Sequence, residues 1–159
     1  MSTELSAVTF QINGYGIALP AGRITTPALA TELGVHPDWI ETRCGIRTRC
    51  VAADGDTTTT LAVAAARRAL AASGGFEPDV LICATFTPDR ELCPNAPAIA
   101  HQLGWHVAAF DINAACSGGL MALVTALTFL TSRAASRVLL VASDTTTRYL
   151  RPDDAYTRI

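Results

Sequence analysis

The residue best placed for chemistry is Cys116. The apolar run 107–112 precedes it, and Ser117, Gly118 and the apolar run 120–130 follow it. This order predicts a buried strand, a tight turn that carries the thiol, and a helix. A helix N-terminus offers free N–H groups and a partial positive charge, which favour the thiolate. Cys116 is therefore a candidate nucleophile; the alternative is a structural cysteine, the commoner fate of a free thiol.

A nucleophilic cysteine usually needs a base within hydrogen-bond reach, and the chain has three histidines. His106 begins the predicted strand, which puts it about 23 Å from Cys116 at roughly 3.3 Å per strand residue. His101 belongs to the preceding predicted helix and lies near the same end of the sheet. His36 precedes a proline in a loop, and nothing in the sequence positions it. Either Cys116 is structural, or its base lies on another polypeptide.

Trp39 and Arg43 form a second candidate site. A short helix is expected after His36, and a spacing of four residues then places the two side chains on one face. A guanidinium beside an indole ring is a good place to stack a flat ligand. The competing interpretation is an ordinary cation–π pair at the surface.

The rest of the chain alternates strand and helix patterns. Near-continuous apolar runs predict strands buried on both faces at 79–85, 107–112 and 136–143. Apolar periodicity and end signals predict helices at 28–33, 61–73, 98–103 and 117–131. The order predicts an α/β fold with a mostly parallel sheet, and no composition shift marks an internal domain boundary.

Some details of these elements are also predicted. The runs 8–12 and 15–19 should form a hairpin or one bulged strand. Thr26 should cap the first helix and Gly34 should end it. The polar stretch 54–60 should cap the second helix. The last helix is apolar nearly all round, which is typical of a core helix.

Composition excludes several functions. The 159 residues fit one domain with a core, since half of them are hydrophobic, and the net charge is −2. All twelve basic residues are arginines without a basic stripe, which argues against nucleic acid. The longest apolar run is too short for a bilayer, and the N-terminus lacks a signal pattern. Five cysteines without a Cys-x-x-Cys pair favour neither a metal site nor disulfides, so we expect a reducing, cytoplasmic setting.

Three segments carry a resemblance to a known family: 38–47 (DWIETRCGIR), 110–118 (FDINAACSG) and 138–144 (VLLVASD). The first is similar to the family's Trp-Ile-x-x-Arg-Thr-Gly-Ile-x-x-Arg segment, and the second to the segment around its active-site cysteine. The chain resembles the N-terminal half of a β-ketoacyl-acyl-carrier-protein synthase III, of the thiolase-like superfamily. The resemblance implies a thiolase-like α/β fold, with residues 1–159 as the N-terminal half of a pseudo-duplicated αβαβα architecture.

By this resemblance Cys116 would take an acyl group from a thioester and condense it, with decarboxylation, onto a malonyl unit on acyl carrier protein. Trp39 and Arg43 match positions that contact the adenine end of coenzyme A. Cys93 stands where some members place a phenylalanine that closes the acyl pocket across the dimer. The acyl donor would be an acyl-coenzyme A or an acyl-carrier protein, with no further cofactor. The family's catalytic histidine and asparagine belong to a C-terminal half, which a second polypeptide is expected to supply.

The chain departs from the family pattern at several positions. Cys93 is small, which implies room for a larger acyl group. Cys44 replaces the usual threonine after Arg43. Ala155 stands where an arginine should clamp the adenine, which leaves a carrier-bound donor open. Two alternatives therefore remain: an acyltransferase that moves the Cys116 acyl group to an alcohol or amine, and a non-catalytic partner subunit.

Overall fold

The computed structural model describes residues 10–151, 154, 157 and 158. They form two compact units, and neither is continuous in the sequence. The sheet unit comprises 10–18 and Thr58–Asp144; the hairpin unit comprises Leu19–Thr57 and the described residues from Thr145 onward. Units built from separated segments leave no linker for composition to reveal, and the expectation of one N-terminal half-domain over 1–159 stays a prediction.

The hairpin unit contains two short strands and two helices. They follow the order β1 (Gly22–Thr25), α1 (Thr26–Leu33), α2 (Pro37–Cys44) and β2 (Thr48–Val51). Strands β1 and β2 pair antiparallel, and Leu29, Ala30 and Ile40 form the buried core of the unit. Neither strand is predicted from the sequence, because each has four residues and none of them is buried.

Helix α1 is capped one residue earlier than predicted. The hydroxyl of Thr25 accepts a hydrogen bond from the N–H of Ala28 at 3.3 Å. Thr26 is buried instead, and its hydroxyl donates to the carbonyl of Ile46 at 2.5 Å. Gly34 ends the helix with a φ of 66°, as predicted, because glycine adopts this left-handed conformation without strain.

The sheet unit holds the predicted α/β core. Its elements are α3 (Thr58–Ala72), β3 (Val80–Ala84), α4 (Asn95–Leu103), β4 (Ala108–Ile112), α5 (Gly118–Thr131) and β5 (Val138–Ala142). The three strands are parallel in the order β4-β3-β5. All five residues of the central strand β3 are buried. The predicted strands and helices of this unit are therefore confirmed, with ends that differ by a few residues.

The N-terminal segment does not form the predicted hairpin or bulged strand over its described residues, 10–19. Residues 8 and 9 of that prediction lie outside the described residues. Within the sheet unit, this segment lies against α3. A Cβ atom on Gly14 or Gly16 would overlap the carbonyl oxygens of Ala69 and Ala65. The segment therefore contacts a helix, and the glycines permit that close approach.

The two faces of the sheet are covered differently. Helices α3 and α4 bury one face, with Ala62, Ala66, Ile99, Leu81 and Leu139 in the core. Helix α5 covers the other face with Ala122 and Ala126. The opposite side of α5 is apolar and exposed, at Leu120 (60%), Met121 (41%), Leu123 (41%) and Val124 (51%). Helix α5 was predicted to be a core helix, but the described residues cover only one of its sides. Among those residues, no helix is long and apolar enough to cross a membrane.

Candidate active site

Cys116 lies in a short turn between β4 and α5. The strand ends at Ile112, and a single 3-10 turn, Ala115–Ser117, leads directly into the helix. Cys116 is exposed, and its Sγ has no hydrogen-bond partner among the described residues. The position is the carboxyl edge of a parallel sheet, where α/β proteins usually bind their ligands. The predicted strand, turn and helix around the thiol are confirmed.

The backbone of this turn is strained at the residue before the thiol. Ala115 has a φ of 46°, and this conformation costs a residue with a Cβ atom roughly 1–2 kcal/mol. Such strain persists only where the surrounding structure enforces it, and it is concentrated at functional sites. The strain therefore supports a functional interpretation of Cys116 over a structural one.

The glycines after Cys116 are not required by the packing of this unit. A Cβ atom on Gly118 would lie 3.6 Å from that of Ala84, and one on Gly119 would lie 3.7 Å from that of Ala142. These are ordinary van der Waals distances. Gly118 also has a helical φ of −53°. Glycines that the packing does not require leave room for another group to approach closely.

A group of threonines and one carboxylate holds together the carboxyl ends of β3 and β5. Asp144 follows β5, and its Oδ1 accepts hydrogen bonds from the hydroxyls of Thr85 and Thr87, each at 3.0 Å. The same oxygen accepts the N–H of Phe86 at 2.9 Å. This network was not predicted, although a Ser-Asp pair directly after a buried strand is a signal for it.

Two further carboxylates fix the helices that surround this edge. Asp89 accepts the N–H groups of Thr58 and Thr59, each at 2.9 Å, at the start of α3. Asp111 accepts the N–H groups of Asn95 and Ala96, each at 2.7 Å, at the start of α4. These distant carboxylates cap helix N-termini as local residues often do. The cap of α3 was predicted to come from the stretch 54–60, and no sequence signal indicated that Asp89 contributes to it. Asp111 is a charged residue inside the apolar run 107–112, and this unusual position was a signal that it has a structural role.

Cys83 is a second cysteine of the sheet unit, and it is fully buried in β3. Burial raises the pKa of the Cys83 thiol to about 12, and the charges of Asp111, Asp144 and Asp89 act in the same direction. A thiol with such a pKa stays protonated at neutral pH. Cys83 is therefore a structural residue of the core.

The histidines of the sheet unit lie away from Cys116, as predicted. Asp111 caps the start of α4, so that helix runs from the carboxyl end of β4 back toward its amino end. His101 is in the last turn of α4, and His106 lies two residues before β4. Both therefore lie near the amino end of the sheet, opposite the edge that carries Cys116. His36 belongs to the hairpin unit, where its Nδ1 accepts the N–H of Asp38 at 3.2 Å and caps α2.

Trp39 and Arg43 form a stacked pair on α2 in the hairpin unit. The guanidinium carbon of Arg43 lies 4.2 Å from the centroid of the indole ring. Arg43 Nη1 also donates a hydrogen bond to the carbonyl of Trp39 at 3.0 Å. Cys44 donates to the carbonyl of Ile40 at 3.2 Å and accepts from Arg49 Nη2 at 3.5 Å. The predicted shared face is confirmed, and the binding of a ligand to it stays a prediction.

Cys93 is in the loop between β3 and α4. It is exposed, and its N–H donates to the carbonyl of Arg90 at 3.4 Å. Its neighbour Leu92 is 94% exposed. The predicted role in an acyl pocket is therefore not explained by this unit alone and stays a prediction.

No group of three or more potential metal ligands occurs among the residues that the structure describes. The predicted departure at Ala155 lies outside the described residues.

Comparison with known proteins gives a consistent result. The model of the 3-oxoacyl-[acyl-carrier-protein] synthase III family matches residues 110–159. A β-ketoacyl-[acyl-carrier-protein] synthase III from Streptomyces coelicolor is 40% identical over 151 residues, which cover 93% of this chain and 45% of that protein.

Solved structures agree with the sequence matches. The 3-oxoacyl-(acyl carrier protein) synthase III from Pseudomonas aeruginosa superposes with a TM-score of 0.86 at 36% identity, over 91% of this chain and 45% of that one. The priming β-ketosynthase of the R1128 polyketide pathway gives 0.85 at 35% identity, over 91% and 44%. The chain thus spans about half the length of the relatives that it matches.

The parallel sheet with a cysteine at its strand-to-helix turn, together with these matches, defines one half of a thiolase-like fold. This chain is similar to the N-terminal half of the 3-oxoacyl-[acyl-carrier-protein] synthases III.

Proposed function

We propose that Cys116 is the nucleophile of an acyl-transfer reaction of the ketoacyl synthase III type, in fatty-acid or polyketide biosynthesis. The observation that carries the proposal is an exposed thiol on a strained turn at the N-terminus of α5. The thiolate attacks the carbonyl carbon of an acyl thioester, and the negative charge moves to the carbonyl oxygen. The C–S bond of the donor then breaks as the carbonyl re-forms, and the donor leaves as a thiolate that takes up the proton lost by Cys116. The backbone N–H groups at the start of α5 suit the stabilisation of that oxyanion.

The second step is a decarboxylative condensation on a malonyl group carried by acyl carrier protein. Loss of CO2 leaves an electron pair on the α-carbon, which attacks the Cys116 thioester. The C–S bond to Cys116 breaks and a β-ketoacyl product forms on the carrier protein. The catalytic histidine and asparagine come from residues outside 1–159, on a second polypeptide or on a continuation of the same one. The distance of His101 and His106 from the reacting edge supports this division.

A second half would also cover the exposed side of α5. Four large apolar side chains are exposed there within two turns of the helix, and such patches mark interaction surfaces. We propose that the complete assembly is a cytoplasmic dimer of two-half units. The acyl donor is proposed to be a coenzyme A thioester whose adenine stacks on Trp39 beside Arg43. An acyl-carrier protein is the second candidate donor.

The proposal is tested by intact-mass spectrometry after incubation of the purified assembly with an acyl-coenzyme A. We expect one acyl adduct per Cys116, which is lost in Cys116→Ala and retained in Cys93→Ala. Addition of malonyl-carrier protein should then release the adduct as a β-ketoacyl product. Release onto an alcohol or amine instead would identify an acyltransferase. Absence of any adduct on the wild-type protein with both donor classes would refute a nucleophilic role for Cys116.

A further inference from the structure

One peptide group next to Cys116 is held at both of its polar ends. The carbonyl oxygen of Ala114 accepts two hydrogen bonds from Ser117, from its Oγ at 2.7 Å and from its N–H at 3.1 Å. The N–H of Ala115 donates to Asn113 Oδ1 at 3.3 Å. Asn113 and Ser117 are both exposed. Their side chains therefore contribute little to core packing, and their hydrogen bonds converge on the Ala114–Ala115 peptide.

This peptide group determines the strained conformation at Ala115. The ψ of Ala114 is 36° and the φ of Ala115 is 46°. Rotation of the peptide plane by half a turn changes these two angles together and returns Ala115 to a negative φ, which alanine prefers. The same rotation would break the hydrogen bonds to both Asn113 and Ser117. The two side chains thus oppose a relaxation that the backbone would otherwise favour.

We propose that Asn113 and Ser117 are positioning residues, which hold the Ala114–Ala115 peptide and through it the orientation of Cys116. The importance of this orientation for acyl transfer rests on the proposed function of Cys116. Loss of either side chain should slow acylation at saturating donor by about three- to tenfold, the factor that one neutral hydrogen bond usually represents. The half-saturating donor concentration should stay unchanged, because Trp39 and Arg43 are proposed to bind the donor.

The test compares Asn113→Ala, Ser117→Ala and a matched control, Ser132→Ala, in the complete assembly with acetyl-coenzyme A. Ser132 lies just beyond the other end of α5, is exposed, and donates a similar hydrogen bond to the carbonyl of Thr128 at 2.8 Å. Acylation of Cys116 is followed by intact mass. We expect the slower rate in the first two variants and the wild-type rate in Ser132→Ala. Circular dichroism establishes that all three fold.

A rescue experiment separates positioning from a general structural role. Glycine adopts a φ of 46° without strain, so Ala115→Gly should restore most of the rate lost in Asn113→Ala. Glycine also relieves the strain at this position, so the melting temperatures of the variants are measured in parallel. A positioning role predicts that the acylation rate recovers independently of the melting temperature. Wild-type rates in both Asn113→Ala and Ser117→Ala, or no rescue by glycine, would overturn the inference.

Alkylation by iodoacetamide distinguishes failure of the inference from failure of the proposed function, since it needs no acyl donor. The rate at Cys116 is measured relative to Cys93 in the same molecules. A ratio that changes about threefold or more in Asn113→Ala and Ser117→Ala, in a protein that takes no acyl group, would support positioning and refute acyl transfer. An unchanged ratio would refute positioning whether or not the protein is acylated.

Discussion

Cys83 and Cys116 are two thiols of the same sheet unit in opposite environments. Cys83 is an interior residue of the central strand, paired in register with Asp111, and it is 0% exposed. Cys116 lies beyond the end of the neighbouring strand, in the turn before α5, and it is exposed. A strand buried on both faces makes any thiol within it a small hydrophobic group. A turn at the carboxyl edge presents the thiol to incoming groups.

The carboxylates strengthen this contrast. Asp89, Asp111 and Asp144 serve as caps and tethers for the backbone around the carboxyl edge. Their charges also raise the pKa of the Cys83 thiol. Burial is the main cause of this raised pKa, and the carboxylates that hold the fold together add to it. The chemistry of a cysteine here depends on whether it lies inside a strand or after one.

The largest expected effect is a difference in native-state alkylation between these two cysteines. With a pKa of about 12, Cys83 has a thiolate fraction on the order of 10⁻⁴ at pH 8. We expect iodoacetamide to modify Cys116 at least about 100-fold faster than Cys83 under native conditions. Peptide mass spectrometry resolves the two sites after timed quenching.

The pH dependence and unfolding provide the controls. Deprotonation of Cys83 requires a pH near its raised pKa, so its native-state rate should stay low up to pH 10. In guanidinium chloride both thiols should react at similar rates, because burial no longer raises the pKa of Cys83. Comparable native rates at pH 8 would contradict the assignment of Cys83 to the core.

The sequence was sufficient for the sheet unit because each of its elements carries a local signal. Strand β3 is a continuous apolar run, and glycines such as Gly104 end its helices, with a φ of 79°. The thiol at the turn before α5 follows from the same pattern. The stacking of Trp39 and Arg43 follows from their spacing on a helix.

The remaining features depend on contacts between residues distant in the sequence. Strands β1 and β2 pair with each other, and neither has a sequence pattern that predicts a strand on its own. The capping of α3 by Asp89 joins residues about thirty positions apart. The strained φ of Ala115 has no signature either, because alanine does not indicate such a conformation. The hydrogen bonds of Asn113 and Ser117 become visible only with the geometry of the turn.

A smaller effect is expected at the proposed donor site, Trp39 and Arg43, than at the reacting thiol. If the donor is a coenzyme A thioester, Arg43→Ala should raise its KM about three- to tenfold, because a cation–π contact and a charge are lost. The rate of Cys116 alkylation by iodoacetamide should stay unchanged, since that reagent has no adenine. Arg47→Ala is the matched control, because Arg47 is also exposed and pairs with Glu41 at 2.8 Å. An unchanged KM would indicate that the donor arrives on a carrier protein.

The smallest effect concerns the amino end of the sheet, far from both Cys116 and its turn. Asp79 accepts the N–H groups of Ser136 and Arg137 at 2.7 and 2.9 Å, and these bonds lower the pKa of its carboxyl below the ordinary 3.8. The ionised carboxylate therefore stabilises the fold above about pH 4, and this contribution is lost as the pH falls through the folded-state pKa. Asp79→Asn should lower the melting temperature slightly at pH 7.

Melting temperatures at acidic pH distinguish the effect of the Asp79 charge from a general loss of stability. The difference in melting temperature between wild type and Asp79→Asn should shrink below pH 3.8, because protonation removes the charge from the wild-type residue as well. Glu77→Gln is the control, since Glu77 is exposed and makes no hydrogen bond or ion pair to the described residues. The alkylation rate of Cys116 should be the same in all three proteins. A change at Cys116 in Asp79→Asn would mean that the two ends of the sheet are coupled, and the contrast between thiols would then depend on more than their local positions.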